Sequence, residues 1–176
     1  MVLAIAVCSL LVSSGSGAID AGLIVAGHRV GQIRIGANLD PIEAKLGNPT
    51  SPESSGNQAA MGHIWRTWHD KNGYSLSIYT VRGANDSAAH PEDFIQQIRV
   101  TSPDFHTRRN LHVGIAYSAL PHSSSYKKAV THSGVVLYDD MRHGLALEVK
   151  DGRCVSILVH PKKQPVTQIY LAFPSY

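Results

Sequence analysis

Two stretches of this chain carry the same order of breaks, and that constrains the fold more than any single motif. Gln32–Pro49, QIRIGANLDPIEAKLGNP, reads as a short apolar strand, a glycine break, a brief amphipathic helix and a Gly/Pro stop. Asn110–Tyr126 repeats the order more weakly, with Leu111, Val113 and Gly114 in the places of Ile33, Ile35 and Gly36. A unit that recurs at this period is one supersecondary element used twice. Further anchors match in order: Leu76-x-Ile78 with Leu145-x-Leu147, and Ile98-x-Val100 with Ile157-x-Val159. The expected fold is α+β, two repeats of a short helix plus antiparallel sheet, with the helices packed on one face of the sheet.

The first helix has a local mechanism. Asn38 or Asp40 supplies a cap, and Pro41 sits at the first helical position, where its missing N–H costs nothing. Ile42 and Leu46 share one face, and Gly47 with Pro49 ends the helix. Ile19–Arg29 reads as an irregular lead-in. His63–Asp70 and Tyr74–Arg82 read as a hairpin around Lys71-Asn72-Gly73, and Phe94–Thr101 as a third strand. Tyr117–Ala129 is the expected second helix, weakened by Pro121 and Ser123–Ser125. Gly134–Asp140 follows as a strand, and Gly144–Lys150 pairs with Arg153–His160 around Asp151-Gly152. In that hairpin Leu145, Leu147 and Val149 face Val155, Ile157 and Val159, and Cys154 falls on the other side with Ser156 and Leu158. Pro165–Phe173 reads as an added edge strand.

Met1–Ala18, MVLAIAVCSLLVSSGSGA, is apolar and ends in small residues, which predicts a signal peptide cleaved before Ile19. Its apolar run is too short to span a bilayer, and Val7 before Cys8 is a poor fit to a lipid-attachment motif. The expected division is therefore a signal peptide at 1–18, a first repeat at 19–103 and a second at 104–176. The setting is exported, periplasmic or extracellular. With the signal removed Cys154 is the remaining cysteine, so no internal disulfide forms. A net charge of +3 without a basic run argues against nucleic acid.

The phrase IRIGANLDPIEAKLGNP, followed by a Trp-bearing strand and a hairpin, resembles the small exported domains of the BamE/SmpA type. Two such units in tandem resemble the β-lactamase inhibitor protein fold. The resemblance covers roughly Val30–His160 and implies a fold and an exported location rather than a partner.

The ten histidines are scattered singly from His28 to His160, with no HxH, HExxH or CxxC spacing, so no metal or other cofactor is expected. No serine lies in a Gly-x-Ser-x-Gly turn. The expected function is a non-catalytic protein-binding or envelope-assembly module whose partner is another exported or envelope protein. The alternative is a periplasmic metal-binding protein or hydrolase using the histidines. If Ile64 and Trp68 face the helices, strand alternation puts Trp65, Thr67, His69, Tyr79, Gln97 and Arg99 on an open sheet face. Trp, Tyr and Arg are the residues of binding hot spots. Two other arrangements fit the same pattern: Trp65 buried and Trp68 exposed, or the tail strand laid over the face.

Overall fold

The computed structural model describes residues 22–53, 64–82, 93–120 and 123–167. Two sheets organise them. The small one has strands β1 (Leu23–Val25), β2 (Arg29–Val30), β3 (Ile33–Arg34) and β8 (His106–Thr107), in the order β3-β2-β1-β8. The large one has eight strands: β4 (Ser51–Glu53), β5 (Ile64–His69), β6 (Ser75–Arg82) and β7 (Asp93–Val100) from the first half, then β9 (Lys127–His132), β10 (Val135–Asp140), β11 (Leu145–Lys150) and β12 (Arg153–Val159). Its order is β4-β5-β6-β7-β12-β11-β10-β9, antiparallel throughout. The middle pair, β7 and β12, joins the halves through Val100↔Ile157, Arg99↔Leu158 and Ile98↔Val159.

This corrects the α+β expectation. Strand predominates among the described residues, in two sheets, and their one α-helix is α1, the seven residues Asp40–Leu46. That helix buries none of its residues. Ile42 packs only partly against the core, and Leu46 is 39% exposed. The real anchor is Leu39, just before the helix and 1% exposed. Asn38 Oδ1 accepts from the Asp40 N–H, and Gly47 ends the helix at φ 78°. The helix is fixed instead by polar contacts from β5: Trp68 Nε1 donates to the Gly47 carbonyl at 2.8 Å, and Arg66 lies 3.5 Å from Glu43.

The second expected helix does not form. Tyr117–Ala119 and Ser123–Ser125 are single 3-10 turns, and β9 begins at Lys127. Proline disfavours helical φ/ψ in the residue before it, and Leu120 is extended at φ −71°, ψ 125°. Serines compete for backbone hydrogen bonds. Ile19–Arg29 also differs from expectation, since its described part supplies β1 and the start of β2.

One face of the large sheet carries the main core, where Ile78, Ile98, Val100, Leu147, Ile157 and Val159 are fully buried. The cover is the small sheet, through Ile24 and Val30, together with Leu39, Leu111 and Leu120. Each such aliphatic side chain contributes about 1.5–3 kcal/mol by leaving water.

The same hydrogen-bond pattern fastens both halves to this sheet. Gly36 N–H donates to the Ile95 carbonyl at 2.7 Å, Ile95 N–H to Ala37 at 2.9 Å, and Leu39 N–H to Asp93 at 3.0 Å. In the second half Gly114 donates to Cys154 at 2.7 Å, Cys154 to Ile115 at 2.9 Å, and Tyr117 to Gly152 at 2.8 Å. A register shift follows in each half, between Tyr79 and Thr80 and between Glu148 and Val149. Cys154 thus occupies the place that Ile95 holds in the first half. The shift turns Cys154 into the main core beside Val149 and leaves Val155 half-buried, the reverse of strict alternation. Burial pushes the Cys154 thiol up to about 12, so it stays protonated.

The small sheet meets the β10–β11 connection at two glycines. Gly27 N–H donates to the Gly144 carbonyl at 3.0 Å. A Cβ on Gly144 would stand 2.3 Å from the His160 oxygen and 2.7 Å from Gly27 Cα, at a φ of 75°. Gly134, at φ 79°, has nothing within 4 Å. Gly144→Ala is therefore expected to cost about 2–4 kcal/mol, from strain plus overpacking. Gly134→Ala is expected to cost about 1–2 kcal/mol, from the left-handed backbone alone. Urea unfolding of the two variants checks the difference.

Candidate functional site

The residues that alternation placed on the second face of the large sheet do lie there, but the face is closed. Trp65, Thr67, Tyr79 and Gln97 are all buried, Gln97 to 1% exposure. The register aligns Trp65, Tyr79 and Gln97 in one row across β5, β6 and β7. Thr67, Ser77 and Arg99 form the next row, which continues through Leu158 and Ala146 to Asp139. Trp65 and Tyr79 meet with ring centroids 5.8 Å apart. His69 ends apart from them, exposed at the end of β5, where its Nδ1 lies 2.9 Å from Thr50 Oγ1. His63 lies outside the described residues. Both tryptophans are buried, Trp68 in the main core and Trp65 in a second cluster.

That second cluster unites Trp65 and Tyr79 with Leu137, Ala146, Leu158 and Val166. Val166 belongs to Pro165–Thr167, the last described residues, which lie against this face. Asp139 Oδ2 accepts from the Val166 N–H at 2.9 Å. The Gln97 amide then reads Thr167 on both sides. Its Oε1 accepts from the Thr167 N–H at 3.0 Å, and its Nε2 donates to the Thr167 carbonyl at 3.5 Å. Tyr79 also hydrogen-bonds the Thr167 side chain, although burial dominates and raises its phenol pKa. These contacts hold a neighbouring main chain much as an edge strand would, but from side chains on a sheet face. Of the expected Pro165–Phe173 strand, residues 168 onward lie outside the described residues, and Pro165–Thr167 docks on the face rather than extending the sheet edge.

Charge on this face is internally matched. Arg99 Nη2 lies 2.8 Å from Glu148 Oε2 and its Nε donates to the same oxygen at 2.9 Å. Ser156 Oγ donates to Glu148 as well, and Thr67 Oγ1 donates to Ser77 Oγ at 3.0 Å. His160, 1% exposed, sets Nε2 3.0 Å from Asp139 Oδ1, so Asp139 joins the end of β12 to the docked segment. Sequence reasoning did not bring the second-half residues Asp139, Ala146, Glu148, Ser156 and Leu158 into the face, although it set Ser156 and Leu158 opposite the apolar side of the β11–β12 hairpin. Their signal was the small and polar alternation Ala146/Glu148 and Ser156/Leu158 in strands with buried neighbours.

A serine, an aspartate and a histidine do meet elsewhere. Ser125 Oγ donates to Asp140 Oδ2 at 2.9 Å, and His143 Nδ1 is 2.7 Å from the same oxygen. The carboxylate stands between hydroxyl and imidazole, whereas nucleophile activation needs the imidazole in the middle. Among the described residues no three His, Cys, Asp or Glu side chains converge as metal ligands. A separate shallow concavity of about 420 Å³ is lined by Leu46, Trp68, Tyr74 and Phe105, with His69 and Asp70 among its polar residues.

No protein-family model matches the chain, and no curated protein matches it. Among solved structures, the uncharacterized protein YfeY from Escherichia coli is similar over 77% of this chain and 98% of that one, at 14% identity and a TM-score of 0.42.

The Arg99–Glu148 pair gives the face a measurable signature. Removing one partner leaves a buried charge, so Arg99→Leu is expected to cost about 3–5 kcal/mol. The double variant Arg99→Leu/Glu148→Leu is expected to recover most of that loss. Denaturant unfolding of both checks the recovery.

Proposed function

We propose that this chain is an exported, non-catalytic binding module that holds an extended segment of another protein on the second face of its large sheet. The observation carrying the proposal is the Gln97 amide, which matches both the N–H and the carbonyl of Thr167, beside the Asp139 contact to Val166. Backbone-directed contacts of this kind accept an extended chain, and an adjoining apolar pocket selects its side chain. Leu137, Ala146 and Leu158 form such a pocket around Val166.

The sheet edges support the face over simple strand addition. Edge strand β9 opens with Lys127 and Lys128, and edge strand β4 contains Pro52. Both are features that discourage pairing with another strand. The leader-like Met1–Ala18 and the likeness of Gly36–Pro49 to BamE/SmpA-type domains support an envelope setting and an exported or envelope protein as partner. No helix among the described residues is long and apolar enough to cross a membrane.

The test is binding in trans. Val166→Asp in the full chain weakens its own docked segment by placing a second carboxylate beside Asp139. A synthetic peptide of residues 161–176 is expected to bind that variant saturably by calorimetry. Adding Gln97→Ala is expected to weaken binding about tenfold, as loss of two neutral hydrogen bonds implies. Absence of peptide binding to the Val166→Asp protein would overturn the reading.

A further inference from the structure

We infer that the docked segment is exchangeable between copies: Pro165–Thr167 of one chain occupies the second sheet face of a second copy, and the reverse. The inference rests on the proposed reading of that face as a holder of extended segments. Its separate support is the connection that carries the segment there.

The connection is anchored at its start. His160 is buried against Asp139, and its N–H donates to the Gly144 carbonyl at 3.2 Å. From Lys162 to Pro165 the side chains are exposed. Within this stretch Lys163 sits at φ 63°, the left-handed region, which is unfavourable for a residue with a Cβ. The turn is tied by the Lys163 N–H to the Met141 carbonyl at 2.8 Å. The sequence around it favours a different shape. His160 and Gln164 each precede a proline, which biases both toward extended backbone. An extended connection relieves Lys163 and suits both prolines, but it carries the segment away from its own face.

A second copy offers the same face at no change in contacts. Asp139 would receive Val166, Gln97 would receive Thr167, and Val166 would enter the same apolar cluster. Exchange of an identical element is the low-cost route to a two-fold dimer, and strain in the connecting loop promotes it. The partner is specified by chemistry already present, since this chain carries both the face and a segment that fits it.

Light scattering of the full chain over a concentration series tests the inference. The dimer fraction is expected to rise with concentration. Lys163→Gly, which removes the backbone penalty at an exposed site, is expected to shift the midpoint several-fold toward monomer. Gln97→Ala weakens the same contacts in the closed chain and in the dimer, so it is expected to keep a dimer fraction near that of the parent. Val166→Asp, whose segment no longer fits the face, is expected to be monomeric alone. Mixed together they are expected to form a heterodimer, because one supplies the segment and the other the face. Monomer at every concentration, with the 161–176 peptide still bound in trans by the Val166→Asp protein, would overturn exchange and leave the proposed function standing. A dimer that persists in Val166→Asp alone would be a different interface and would also overturn it. Absence of both dimer and peptide binding would overturn the two together.

Discussion

The pairing of β7 with β12 is the contact on which the rest of the molecule depends. It places the last strand of each half at the centre of one continuous eight-stranded sheet. Central strands that are buried on one face leave their other face to be solvated or covered. Here it is covered: Gln97, Ser156 and Leu158 are as buried as Ile98 and Ile157 on the opposite side. Antiparallel sheets commonly keep one face in water, so a second buried face of mixed polarity requires its own account.

Two devices meet that requirement. Polar side chains on the face satisfy one another, as in Arg99 with Glu148 and Thr67 with Ser77. The remaining backbone-directed groups, Gln97 and Asp139, take the C-terminal segment. The segment therefore closes the apolar cluster around Leu137 and Leu158, and it also answers donors and acceptors that burial would otherwise leave costly. Our proposed function and the exchange between copies are two uses of this one geometry.

Much of the scaffold was legible from residues. The Asp151-Gly152 hairpin forms, with φ 50° and 74° at those positions. Of the anchor pairs, Gly36 and Gly114 make matching backbone hydrogen bonds, to Ile95 and Cys154. The face membership of Trp65, Tyr79, Gln97 and Arg99 follows from alternation. What alternation does not give is exposure, because a polar side chain looks the same whether water or a crossing segment satisfies it. Register shifts were equally invisible: the one at Glu148/Val149 reverses Cys154. The Tyr117–Ala129 helix does not form because Pro121 and the serines of Ser123–Ser125 outweigh the helical pattern expected there. The overall class was misjudged for a related reason, since a strong seven-residue helix signal says nothing about how much surface that helix covers.

The central claim is that the second face holds an extended segment by its backbone. Native-state hydrogen exchange at the Val166 and Thr167 amides tests it most directly. Held as described, both amides exchange slowly, through an opening that costs less than global unfolding and leaves the β7 and β12 amides protected. Exchange of Val166 and Thr167 at the rate of an unstructured chain would contradict the account.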